Sequence, residues 1–138
     1  MKKLIRQKGV ATIEFAIILP LLIILVFGII EFSLLLYDKQ VITNASREGA
    51  RKGIVFRHPA RVTNAEITEV VNAYCSNYLI TFGSPAAPVT TITRTGMNSG
   101  DELTVAVSYT YNFLIIPKFI TSLTGTKTIN AVTVMRME

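Results

Sequence analysis

Glu14 is a single glutamate standing between a short basic leader and a long apolar run, and it sits five residues after Gly9 in Lys8-Gly9-Val10-Ala11-Thr12-Ile13-Glu14-Phe15. A charge at the edge of a bilayer segment is costly unless it is paired or reaches the interface, so Glu14 needs a neutralising partner or a route to water. Its chemistry is therefore electrostatic pairing, and the chain offers little for catalysis. It has one His, one Cys, no readable pair of carboxylates and no glycine-rich phosphate loop after a strand. No spacing suits a metal ion, and no cofactor or metal is expected. His58, beside Pro59, reads as a loop residue.

The elements that must hold Glu14 follow from hydropathy. Residues 15–30 carry no charge, and 13 of the 16 are Leu, Ile, Val or Phe. On an insertion scale they contribute about −4 to −8 kcal/mol, more than Pro20 and Gly28 take back. A helix spanning a membrane over about 15–37 is expected, with the apolar stretch from Val10 to Tyr37 long enough for a hydrocarbon core of about 30 Å. Lys2, Lys3, Arg6 and Lys8 precede it without an acid, whereas Glu31 and Asp38 follow. The amino terminus is thus expected in the cytoplasm and the remaining residues outside it.

No Ala-x-Ala pattern closes the apolar run, and no cysteine lies near enough for a lipoprotein signal, so conventional cleavage and release are disfavoured. The formal charge is +5, but four positive residues lie among the first eight, which leaves +1 beyond them. Nucleic-acid binding loses its main support. Cys75 excludes an internal disulfide and reads as a buried thiol, with a disulfide to a second chain as the alternative.

The helical pattern continues past the apolar run. From Asp38 to Ile54 there is no proline, and Val41, Ile42, Ala45, Gly49 and Gly53 share one side. Glu48 and Lys52 have the spacing of a favourable i,i+4 pair. One helix from Val10 to about Ile54 is expected, loosened or kinked at Pro20. Ala45, Gly49 and Gly53 recur every four residues, which admits a second backbone. This possible helix–helix contact lies either within the chain or with another. His58-Pro59 breaks the pattern. Thr63-Asn64-Ala65-Glu66 then has the spacing of a capping box, and Ile67, Val70, Val71, Tyr74, Cys75, Tyr78 and Leu79 form an apolar stripe read as core.

After Gly83 to Pro88 the period changes to two. Thr90 to Arg94 is a short strand candidate. Leu103, Val105, Val107, Tyr109, Tyr111 and Phe113 alternate with polar or small neighbours, and a last strand covers about Lys127 to Met137. A loop around Pro117 to Gly125 joins the last two. The fold class is α+β, with a long N-terminal helix, a second helix and an antiparallel sheet of about three strands. The divisions are 1–9, 10–54 and an exported domain over 55–138.

The basic leader, Gly9, Val10-Ala11-Thr12-Ile13-Glu14-Phe15 and the apolar helix resemble the class III signal of type IV pilins and pseudopilins. Glu14-Phe15-Ala16 through Pro20, Phe27 to Phe32 and Asn44 to Arg51 resemble the TadE-like family of the Tad (Flp) tight-adherence pilus. The resemblance covers residues 9 to about 53. It implies a pilin-like fold and removal of residues 1–9 by a prepilin peptidase cutting between Gly9 and Val10. It also implies that Glu14, fifth in the mature chain, pairs with the amino terminus of a neighbouring subunit.

The implied partners are other minor pilins, the major Flp-type pilin and the inner-membrane assembly platform. The implied location is the bacterial inner membrane or the filament, and the implied role is pilus assembly, initiation or tip formation. Phe15 stands where major Flp pilins usually carry Tyr, which with the extra domain fits a minor pilin. TadF-like proteins share this architecture. The alternative is an uncleaved, membrane-anchored binding domain. For Glu31, two readings stand: solvation at the membrane boundary, or contact with a partner helix.

Overall fold

The computed structural model describes residues 2–57, 60–81, 87–113 and 127–138, the first seven of these by backbone alone. His58-Pro59, most of the Gly83 to Pro88 connection and the loop around Pro117 to Gly125 lie outside the described residues.

Helix α1 runs Lys2–Ile54 without interruption. It starts ahead of the expected Val10 and continues through Pro20, whose missing N–H removes one bond to the Ala16 carbonyl without ending the helix. Arg51 and Lys52 occupy its last turn, where cations favour the negative end of the helix dipole. The terminal carbonyl of Ile54 accepts from the Glu138 N–H at 3.2 Å and from Arg61 Nη1 at 3.4 Å, so distant chain closes the helix end.

Helix α2 spans Asn64–Tyr78, and the expected capping box is formed: the Glu66 N–H donates to Thr63 Oγ1 while the Thr63 N–H donates to Glu66 Oε2. Thr63 and Arg57 both hold the Glu66 carboxyl below its usual range, the hydrogen bonds from Thr63 being the larger cause.

Strands β1 (Val89–Arg94), β2 (Glu102–Tyr111) and β3 (Lys127–Arg136) form one antiparallel sheet in the order β1-β2-β3. Between β1 and β2 the chain turns through Gly100, whose φ of 89° suits a residue without a Cβ. The Asn98 N–H donates to Asp101 Oδ2 at 2.7 Å and fixes that turn. β2 alternates as expected, with Leu103, Val105, Val107, Tyr109 and Tyr111 all buried.

Both helices lie on that inner face. The core joins Ile42, Ala45 and Ala50 of α1 to Ile67, Val71 and Cys75 of α2 and to the inward residues of β2 and β3. On the opposite face, Val132 and Val134 are exposed.

Two expectations change. Glu48 pairs with Arg51 instead of Lys52, through contacts of 2.6 and 3.0 Å. The planar guanidinium engages both carboxylate oxygens, which a lysine ammonium does less well. Tyr78 is 52% exposed and leaves the core stripe. It lies at the last turn of α2, where its ring meets Tyr74 with centroids 4.7 Å apart.

Candidate functional site

Two regions of α1 carry the residues singled out by the sequence. The first is its N-terminal stretch. Every residue from Gly9 to Ile30 is exposed, including Val10, Glu14 and Phe15. Among the described residues, a Cβ built on Gly9 meets nothing within 4 Å, so their packing gives no reason for glycine there. Glu14 and Phe15 are separated from the C-terminal domain by the rest of this exposed stretch. The helix from Gly9 onward is long and apolar enough to cross a membrane.

The second region is the junction between α1 and the domain. Burial begins at Glu31, which is 3% exposed, and Leu34 and Leu35 pack against the core. The domain thus meets α1 within the segment 15–37 expected to span. Tyr111 Oη donates to Glu31 Oε1 at 2.9 Å. Glu31 is thus buried against the chain's own β2, which neither reading of it anticipated.

Seven residues on, Asp38 is fully buried on the same side of α1. Its Oδ1 accepts the Ile80 N–H at 3.0 Å, while Oδ2 has no hydrogen-bond partner among the described residues. Burial raises the Asp38 carboxyl above its usual value, and the Ile80 bond only partly opposes this. Burial also raises the Tyr111 and Tyr109 hydroxyls, with further contributions from the nearby acids.

The small-residue stripe is internal. A Cβ on Gly49 would lie 2.6 Å from Val71 Cγ2, and one on Gly53 would collide with Leu103 and Ile67. Ala45 is fully buried. These residues admit α2 and the sheet to α1, so the possible helix–helix contact is an intrachain one. Ser46, unremarked in the sequence, shares a 2.7 Å hydroxyl contact with Thr133 of β3. Lys39 Nζ donates to the Asn130 carbonyl. Cys75 is a free, buried thiol pushed up to about 11 by desolvation. Among the described residues, no cluster of His, Cys, Asp and Glu could hold a metal ion.

Residues 9–51 match the family model for TadE-like proteins. This helical segment is similar to TadE-like proteins, over about a third of the chain. The match begins at Gly9 and takes in Val10, Glu14, Phe15, Glu31, Asp38, Ala45 and Gly49, while α2 and the sheet lie beyond it. The TadE-like segment therefore contains both the exposed stretch and the helical side of the junction. No curated protein matches the chain, and no solved structure does.

Proposed function

We propose that this protein is a minor pilin, or pseudopilin, of a Tad-type pilus, anchored in the inner membrane by α1 and acting in pilus assembly, initiation or tip formation. The observation that carries the reading is the TadE-like match, which opens at Gly9. On this reading a prepilin peptidase cuts between Gly9 and Val10 and removes the basic leader. The free space around Gly9 supports it, because a recognition site accounts for a glycine that packing does not require.

Glu14 then lies near the new amino terminus, exposed on an apolar helix. A carboxylate in such surroundings is stabilised by a close opposite charge, which the terminal ammonium of a neighbouring subunit supplies. The role is structural and not catalytic. The junction around Glu31 and Asp38 fixes the exported domain to the helix, so that a force on one reaches the other. Other minor pilins, the major pilin and the assembly platform are the proposed partners.

The test is piliation in a deletion strain. Wild-type protein restores pili, whereas Gly9→Leu and Glu14→Leu, both present in the membrane at wild-type level, do not. Full piliation with both variants overturns the reading.

A further inference from the structure

The boundary between the exposed and buried parts of α1 falls at a particular depth. Val10 to Ile30 covers about 31 Å at 1.5 Å per residue, close to the thickness of a hydrocarbon core. If that stretch spans the membrane, Glu31 marks the outer edge of the core. Burial by the domain starts there, without an intervening linker.

The sheet points the same end of the domain at the membrane. Leu103, near the start of β2, packs beside Gly53, and Tyr111, at its end, bonds to Glu31. β2 therefore runs antiparallel to α1 and descends toward the bilayer. Tyr111 pairs in register with Lys127, which brings the start of β3 to the same level.

The surface at this level is unusual for an aqueous one. On the side of α1 away from the domain, Phe32 is 62% exposed, Leu36 50% and Tyr37 44%. They extend the lipid-facing surface by about 10 Å beyond Ile30, at 1.5 Å per residue. The carboxyls of Glu31 and Asp38 are buried, whereas Lys127 is exposed. Aromatic rings beside an exposed lysine, with the two nearby described acids buried, are the composition of a membrane interface.

We propose that the lower end of the exported domain is seated in the outer headgroup layer of the membrane, with Phe32, Leu36, Tyr37 and Lys127 as its contact surface. This rests on the reading of α1 as a membrane span. The seat would hold the domain at a fixed height before any assembly step. The surface is continuous with the lipid-facing stretch, which favours lipid over a protein occupant.

The chain has no tryptophan, so single-tryptophan reporters are unambiguous. Full-length Ile24→Trp, Tyr37→Trp, Thr128→Trp and Val134→Trp are reconstituted in phosphatidylcholine–phosphatidylglycerol vesicles brominated either near the headgroup or deep in the acyl chains. Ile24→Trp is expected to lose most of its fluorescence to the deep label. Tyr37→Trp and Thr128→Trp are expected to lose most of theirs to the shallow label, and Val134→Trp to neither.

Quenching of Ile24→Trp without quenching of Tyr37→Trp and Thr128→Trp overturns the seat and leaves the span intact. Blue-shifted but unquenched Tyr37→Trp emission would mean that protein, such as a second copy, covers the surface, and overturns it too. An unquenched Ile24→Trp removes the span and the seat together.

Discussion

Tyr111 and Glu31, 80 residues apart, meet through a buried 2.9 Å hydrogen bond that ties the end of β2 to the point where α1 enters the C-terminal domain. Removing the hydroxyl with Tyr111→Phe withdraws a buried donor from a carboxyl group at a cost of about 1–3 kcal/mol. The expected outcome is a lower midpoint for denaturant unfolding in detergent micelles, with the membrane fraction unchanged. Glu31→Gln keeps an acceptor oxygen and should cost less than Glu31→Leu.

Asp38 makes stability depend on pH. Its carboxyl is raised in the folded state, chiefly by burial, so the folded protein binds its proton more tightly than the unfolded chain. The stability linked to that proton is fully present below the unfolded value of about 4 and declines as pH rises through the folded value. Asp38→Asn retains an oxygen for the Ile80 N–H and abolishes this decline. It is expected to be more stable than wild type at pH 7 by about 1 kcal/mol, the low end for a buried unpaired polar group. Parallel unfolding curves at pH 5 and pH 8 provide the check.

Gly49 and Gly53 reverse the usual effect of glycine in a helix. At an exposed site, alanine improves a helix by about 1 kcal/mol. Here Gly49→Ala drives a methyl into the stiff, buried Val71, and overpacking of this kind costs about 1–3 kcal/mol. Net destabilisation is expected for Gly49→Ala and Gly53→Ala. Gly28→Ala, with open space around it, should show none. Thermal unfolding of the three variants in one detergent compares them directly.

Cys75 should be inert in the folded protein. The thiol is buried and pushed up to about 11, so little thiolate forms at pH 8. A thiol reagent is expected to modify it only after denaturant is added, and a non-reducing gel of exported protein to show monomer. A dimer dependent on Cys75 would require the core to open.

Local signals carried much of this fold. Thr63 and Glu66 declared the start of α2 by spacing alone, and Leu103 to Tyr111 declared β2 by strict alternation, because both patterns reflect interactions within a few residues. The junction did not follow from such rules. Glu31 and Asp38 read as boundary acids, since the groups that bury them, Tyr111 and Ile80, arrive from 80 and 42 residues away. Gly49 and Gly53 pointed to close packing but not to its partner, which is equally short-ranged whether α2 or another chain supplies it. Tyr78 fitted the stripe yet lies at its end, where periodicity continues after the core has stopped. Of the residues proposed for processing and assembly, Gly9 and Glu14 were visible as anomalies, a glycine in open space and an acid beside an apolar run.

The most direct test of the central claim, that this is a processed pilin-like subunit, is the intact mass and N-terminal sequence of the protein expressed with and without its prepilin peptidase, beside a Gly9→Leu variant. The expected result is a chain starting at Val10 only when the peptidase is present and Gly9 intact. A chain that still starts at Met1 in the peptidase-containing host would contradict it and identify an uncleaved, membrane-anchored domain.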